Sequence, residues 1–337
     1  MSLTSFILRR VLLLVPTLFG VSLLTFALSR IVPGDPARLA AGAQATPEMY
    51  AQIRQEFGLD DPLPVQYWNY LSGLFQGDWG RSILSRRPVL DDLSVYWPAT
   101  FELVLFSMLI AVALGVPLGI LAAVRADRPA DQISRVVALL GVSLPAFWLA
   151  ILFQIFFGLR LGWLPVSGRL ASLSEAPPNF TGLYTVDSLV SGQWATFGDS
   201  LRQLLLPAIT LSFPAMATIM RFTRATLLET LGQDYVRTAR AKGAAERQVV
   251  TRHALRNALI PTITMVGLSF GWAMGGSVLV ETVFDWPGLG LYATKSALSL
   301  DFMPIMGIAL LYGLVFSVIN ILVDVTYGAL DPRVSRV

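Results

Sequence analysis

Hydrophobic and polar positions along this chain alternate in long blocks, not with the short period of a surface helix or strand. Six stretches contain no Asp, Glu, Lys or Arg: Val11–Ser29, Leu103–Val124, Val136–Leu159, Gln203–Met220, Asn257–Val280 and Phe302–Val323, each 18 to 24 residues long. A helix needs about 20 apolar residues to cross a hydrocarbon core, and the other charge-free gaps are shorter or polar. The pattern therefore predicts six membrane-spanning helices. Ile31-Val32-Pro33-Gly34-Asp35-Pro36 turns the chain after the first of them, because Pro-Gly and Asp-Pro end helices. In the long segment that follows, Thr46-Pro47-Glu48 opens a helix running through Ile53 and Phe57. A second amphipathic piece, Val65–Phe75, carries Tyr67, Trp68, Tyr70 and Phe75, rings suited to a half-buried place at a bilayer surface.

Small and helix-breaking residues mark the spans further. Gly115, Pro117 and Gly119 cluster in the second, and Gly267, Gly271, Gly275 and Gly276 form a small-residue face on the fifth, both suited to close helix–helix approach. Pro145 predicts a bend in the third span, and Pro207 with Pro214 predicts an irregular fourth. Gln154 reads as interhelical glue. Asp324, at the inner end of the last span, reads as the partner of an arginine in the cytoplasmic connector or the tail. The segment Arg160–Arg202 has no charge run or repeat; it either faces a delivery protein or closes over the bundle.

Composition agrees with a membrane protein. Only 14% of the residues are charged, against about 25% in an ordinary soluble domain. With both termini inside, Arg9, Arg10, Arg125, Arg128, Arg135, Arg333 and Arg336 gather on the cytoplasmic side, as the positive-inside rule requires. The first span follows Arg9 and Arg10 but is too long, and its end offers no small-x-small cleavage site; it is expected to stay as an anchor. The absence of cysteine and the single histidine, His253, exclude disulfides, thiol catalysis and a Cys- or His-cluster metal site. No catalytic or metal-ligating residues are expected.

The most informative polar stretch is Tyr235–Pro261, YVRTARAKGAAERQVVTRHALRNALIP, which lies between the fourth and fifth spans. Arg237, Arg240 and Lys242 precede Gly243, while Glu246, Arg247, Arg252 and Arg256 follow it. Cations in a last turn followed by Gly end one short helix, and Glu246 suits the first turn of another. The pattern predicts two short surface helices with a sharp bend, a docking element on the cytoplasmic face. Charge that only sets topology and a patch for anionic lipid are the plainer readings of the same arginines.

This stretch resembles the EAA loop of ABC-importer permeases, with Arg237-Thr238-Ala239 in the place of Glu-Ala-Ala and Gly243 as the glycine of that pattern. Only Ala239, Gly243 and Leu255 match the general pattern strictly; RTARAKG and HALRNALIP are similar to the dipeptide/oligopeptide branch. VPTLFGVSLLTF, IVPGDP, FGLDDPLPVQYWNYL, GDWGRS, VSLPAFWLA and VLVETVFDWPGLGLY resemble that branch in order and spacing. The resemblance implies an all-α integral membrane protein with six transmembrane helices in the type I ABC importer permease fold. It divides the chain into 1–96, a first span plus extracytoplasmic segment, and 97–330, a five-helix permease domain with a coupling loop at 221–257. It further implies a homologous second permease, two ABC ATPase subunits, an extracytoplasmic solute-binding protein, and coupling through Arg237, Thr238, Ala239, Arg240, Ala241, Lys242, Gly243 and Ala244. Di- or oligopeptides are the implied substrate, with glutathione or a nickel complex as alternatives.

ATP itself is not expected on this chain. A P-loop needs Gly directly before its Lys, whereas Lys242 follows Ala241 and Lys295 follows Thr294; ATP and Mg²⁺ would be bound by the partner subunits. A secondary transporter, the rival class, ordinarily carries acids or histidines inside its spans, and the six runs hold none. No nucleic-acid partner is expected, because a connector pinned between two spans is badly placed to enter a groove.

Overall fold

A computed structural model describes residues 3–31, 35–42, 45–171 and 174–330. The helices in chain order are α1 (Leu3–Ile31), α2 (Pro36–Ala41), α3 (Pro47–Glu56), α4 (Leu63–Phe75), α5 (Val89–Val124), α6 (Pro129–Ser143) and α7 (Ala146–Phe153). After these come α8 (Tyr184–Val190), α9 (Trp194–Leu231), α10 (Asp234–Ala241), α11 (Glu246–Gln248), α12 (Leu255–Val283), α13 (Leu289–Leu298) and α14 (Phe302–Leu330). Two π-helical stretches, Gln154–Arg160 and Val249–Ala254, extend α7 and lead into α12. Among the described residues there is no strand, only an isolated bridge between Arg81 and Pro88.

Five helical rods are long and apolar enough to span a bilayer, in α1, α5, α9, the rod Glu246–Val283 and α14. The third run expected from the sequence arrives in two pieces, Pro129–Ser143 and Ala146–Arg160, bent by 104°. Leu144, directly before Pro145, is extended with ψ 127°, as steric conflict with a following proline ring demands. The bend expected at Pro145 is a break. By contrast, α9 runs as one helix through Pro207 and Pro214, so the discontinuity expected there is absent.

The bundle is built around α9. In its most apolar window 72% of residues are buried, against 17% for α1, which makes α9 the central post and α1 a peripheral helix. The core joins Leu103, Val104 and Met108 of α5 to Leu204, Leu211 and Ile219 of α9 and to Phe270 and Met274 of α12. Glycines set how closely the posts approach. A Cβ on Gly115 would lie 2.9 Å from the Met216 carbonyl oxygen, and one on Gly119 2.6 Å from that of Met220. The Gly-x-x-x-Gly pair on α5 is thus the surface that admits the α9 backbone. Gly267 and Gly271 instead admit side chains of α14, where a Cβ would meet Val323 and Phe316 at 2.3 Å, while Gly275 faces open space.

At the end of the bundle away from α10, buried charges tie the helices together. Glu102 of α5, 2% exposed, accepts from Arg169 Nε at 3.0 Å, Thr185 N at 2.8 Å and Thr185 Oγ1 at 2.7 Å. Arg169 also donates to the Gly182 carbonyl at 2.7 Å and lies over the Tyr184 ring. The segment between α7 and α9 is therefore anchored inward and closes over this part of the bundle. Glu281 of α12 accepts from Gly290 N and Leu291 N at 2.7 and 3.1 Å, and from Thr100 Oγ1 at 2.8 Å. Its carboxylate satisfies the free N–H groups of the first turn of α13.

The segment before α5 packs on α1. Asp35 caps α2 and Thr46 caps α3, with Pro47 at the first helical position. Tyr67 and Tyr70 of α4 turn to Phe19 and Phe26 of α1, and Tyr67 OH lies 2.8 Å from Ser22 Oγ. Trp68 and Phe75 remain exposed on the other face. The expected division at residue 96 falls inside α5, which continues unbroken from Val89.

Gly119→Val tests the close crossing. A side chain there would meet backbone, which cannot retreat, and overpacking of this kind costs about 1–3 kcal/mol. The expected result is a lower detergent melting temperature and less folded protein in the membrane. Gly275→Ala, placed in open space, leaves both unchanged.

Candidate coupling surface

The basic connector forms α10 and then a turn stopped by Gly243. The Gly243 N–H donates to the Arg240 carbonyl at 2.9 Å, and the Ala244 N–H reaches back to the Ala239 carbonyl at 3.2 Å. With Gly243 at φ +79°, this is the Schellman closure, whose left-handed residue is most easily glycine. The first predicted short helix and its bend are present. The second is not separate: α11 and the π-helical Val249–Ala254 run directly into α12. Residues up to Leu231 belong to α9, so the connector proper is shorter than 221–257.

One face of α10 is seated in the bundle. Val236 is buried against Ala123 of α5, Leu227 of α9, and Val249, Val250 and Ala254 of the stretch leading into α12, and Ala239, three residues on, is buried too. Burying a valine contributes about 2 kcal/mol. Asn257 Nδ2 also donates to Tyr235 OH at 2.8 Å, linking the start of α10 to α12. The seat thus touches the ends of three long helices at once.

The opposite face is exposed and basic. Arg237, Thr238, Arg240, Ala241, Lys242 and Gly243 point to solvent, and Ala244 is half-buried. Ala239, expected among the coupling residues, faces the bundle instead, because helical spacing puts it on the stripe of Val236. Two of the cations are held locally: Arg237 lies 3.3 Å from Asp234, and Arg240 lies 2.6 Å from Glu246. The Glu246 carboxylate raises the Arg240 guanidinium further above its ordinary value, so Arg240 stays cationic. Surface pairs of this kind are weak and screened by salt, so exchanging them for an acidic partner costs little.

Other polar residues singled out in the sequence have structural partners. Gln154 Nε2 donates to the carbonyls of Val166 and Val283 at 2.7 and 3.0 Å, the interhelical role expected of it. Asp324 pairs with Arg10 at 2.9 Å, not with the connector; α1 lies beside α14 and brings an arginine closer. Glu102, Arg169 and Glu281 escaped the reading of the sequence. Glu102 directly precedes one charge-free run and Glu281 directly follows another, so an acid abutting a span was the available signal.

Gly243→Ala and Gly243→Pro separate the roles of this turn. An alanine Cβ would meet nothing within 4 Å, leaving only the left-handed backbone penalty of about 1 kcal/mol. Proline removes the donor to Arg240 and forbids the positive φ. Limited proteolysis of the membrane-embedded protein should show a nearly normal connector in the alanine variant and rapid cleavage within 240–248 in the proline variant.

Two family models cover the chain: the N-terminal portion of the binding-protein-dependent transport system membrane component matches residues 3–103, and the main inner membrane component matches residues 115–336. The chain is 44% identical to the probable D,D-dipeptide transport system permease protein DdpB of Escherichia coli K12, covering 96% of this chain and 95% of that one. It is 40% identical to the dipeptide transport system permease protein DppB of Alkalihalophilus pseudofirmus, over 98% and 99% of the two chains. Against the glutathione transport system permease protein GsiC of E. coli K12 identity is 42%, over 98% of each. Its fold is similar to that of a chain of the MetNI methionine ABC transporter, solved in inward-facing conformations, with a TM-score of 0.52 at 18% identity, covering 69% of this chain and 93% of that one. The bundle of five long helices and one broken pair, with its basic connector, is thus a type I importer permease fold, and the chain belongs to the family of binding-protein-dependent transport system inner membrane components, as a non-catalytic multi-pass membrane protein.

Proposed function

We propose that this chain is the permease subunit of an ATP-driven importer that moves di- and oligopeptides, delivered by an extracytoplasmic binding protein, across the bacterial inner membrane into the cytoplasm. The observation that carries this reading is the two-faced connector helix: an exposed face of Arg237, Thr238, Arg240, Ala241 and Lys242 backed by a face seated against α5, α9 and the entry to α12. A helix joined to three long helices moves with them. The peptide substrate is supported by relatives named as dipeptide permeases over nearly the whole chain. The comparable match to a glutathione permease favours a second reading, in which the same importer carries that tripeptide.

In this mechanism a homologous permease completes a pseudo-two-fold pair, and two ABC ATPase subunits bind ATP and Mg²⁺. Both termini lie in the cytoplasm in this reading, which the arginine distribution supports. Each ATPase receives a connector helix in a groove, where the exposed cations meet acidic side chains. ATP-driven approach of the ATPases draws the two connectors together, and the seat at Val236 passes that displacement to the inner ends of α5, α9 and α12. The cavity then opens outward to accept peptide from the binding protein, and hydrolysis resets it. The Gly243 closure keeps α10 at a fixed angle, so that a push is not absorbed by the turn.

Purification of the tagged chain from mild-detergent membranes, with mass spectrometry and an ATPase assay, tests the assembly. A second six-span protein and P-loop ATPases should co-purify, and both ATPases should be lost when residues 237–244 are scrambled. Recovery of the chain alone, without ATPase activity in several detergents, would support a secondary transporter instead.

A further inference from the structure

The third span is broken, and its first half is fastened to the bundle by a buried charge. The residues of α6 that turn inward are Asp131, Ser134, Ala138 and Gly141, one stripe at helical spacing. Ile133, Val136, Leu139 and Leu140 are exposed. Three of the four inward side chains are small, so the stripe offers little apolar bulk to hold α6 in place. Two points hold it instead. Near the far end of α6, a Cβ on Gly141 would lie 2.5 Å from the Ala217 Cβ and 3.2 Å from the Phe213 carbonyl oxygen of α9, a close crossing of two helices. In the first turn, about 15 Å earlier along the helix, stands Asp131.

Asp131 is 0% exposed and is met by donors from both helices. Arg224 of α9 grips it with Nε and Nη2, the latter at 2.8 Å, a two-point geometry that fixes orientation as well as distance. Arg135, one turn on, donates through Nη2 at 2.6 Å, and Asp127 N donates at 3.0 Å. Arg224 precedes Leu227 by one turn, and Ala123 lies at the end of α5 just before the turn into α6; both Leu227 and Ala123 line the seat of α10. The pair therefore sits at the connector end of the bundle. Among the described residues, those packed around the seat include none from α6. Beyond Gly141 the chain breaks at Leu144–Pro145 with a bend of 104°, so no continuous helix ties α6 to α7.

We propose that Asp131 and Arg224 are positioning residues for transport. Their pair clamps α6 to α9, so that a displacement received at the connector seat carries the first half of the broken span with it, and the break at Pro145 takes up the difference from α7. A carboxylate removed from water and gripped at two points is a stiff link, and releasing either partner leaves the other without its counter-charge. With the clamp gone, α6 keeps its crossing at Gly141 and pivots there. The consequence for transport rests on the coupling reading above, whereas the clamp between α6 and α9 does not.

Because the chain lacks cysteine, spin labels on Ile133→Cys and Arg252→Cys, exposed positions on α6 and beside the seat, read the separation of the two by double electron–electron resonance in lipid nanodiscs. One narrow distance is expected with Asp131 in place, unchanged when ATP is added to the assembly with its ATPases, and a broad distribution is expected in Asp131→Asn. Arg224→Gln carries the same comparison if Asp131→Asn does not fold. Import of dialanine and of glutathione is then measured against ATP hydrolysed in proteoliposomes. A positioning role predicts near-normal hydrolysis and about tenfold less import per ATP in Asp131→Asn, within the range for mutations along a coupling network. Import per ATP should recover when Asp131→Cys and Arg224→Cys are joined by a short bismaleimide. A narrow distance that survives both substitutions, a native distance that shifts with ATP, or hydrolysis and import falling together with the melting temperature would overturn the proposal. Were the unmodified assembly to import neither substrate, the peptide reading would fail while the label distances still decided the clamp.

Discussion

The seat of the connector helix constrains how the rest of this structure can work. Val236 is buried where α5, α9 and the helical entry to α12 converge, and the Schellman closure at Gly243 fixes the chain as it leaves. A helix of eight residues would not hold its shape in water by itself. Its conformation is supplied by this tertiary contact, so its position reports the position of three long helices. The exposed basic face is then a handle on the bundle and not a charged loop beside it.

The bundle on which that handle acts is governed by the lack of water in a bilayer core. Helices there gain little from burying apolar side chains and must associate by close packing and by matched polar groups. Gly115 and Gly119 bring α5 against the α9 backbone, while Gly267 and Gly271 bring α12 against α14. At the end away from α10, Glu102 is matched by Arg169 and Thr185, and Glu281 by the first turn of α13. Removing one partner of a buried pair exposes the other to the full desolvation penalty, so these residues lock the ends of the helices that lie away from the connector.

Much of this was legible in the chain. Charge-free runs located the spans because a hydrocarbon solvent leaves few alternatives, and Gly115 and Gly119 announced a close crossing through their spacing of four. Gly243 was readable because a cation-rich turn followed by glycine is a local signature. Partner choice across the bundle was not. Asp324 pairs with Arg10 and not with the connector because α1 packs beside α14, a neighbour relation that no local pattern encodes. Pro207 and Pro214 misled for the same reason: neighbouring helices support α9, and it stays continuous through both. Ala239 shares its exposed neighbours' motif yet turns inward, which only the helical phase relative to the bundle decides.

The absence of cysteine from this chain allows the most direct test of whether α10 is a handle with one face inward and one outward. Single cysteines at Val236, Arg237, Thr238, Ala239, Ala241 and Lys242, each carrying a maleimide-linked photo-crosslinker, would be placed in the chain co-expressed with its ATPase subunits. Cross-links to an ATPase are predicted from positions 237, 238, 241 and 242, and none from 236 and 239. Equal cross-linking around the whole helix, or no cross-link from any exposed position, would contradict the connector as the coupling element.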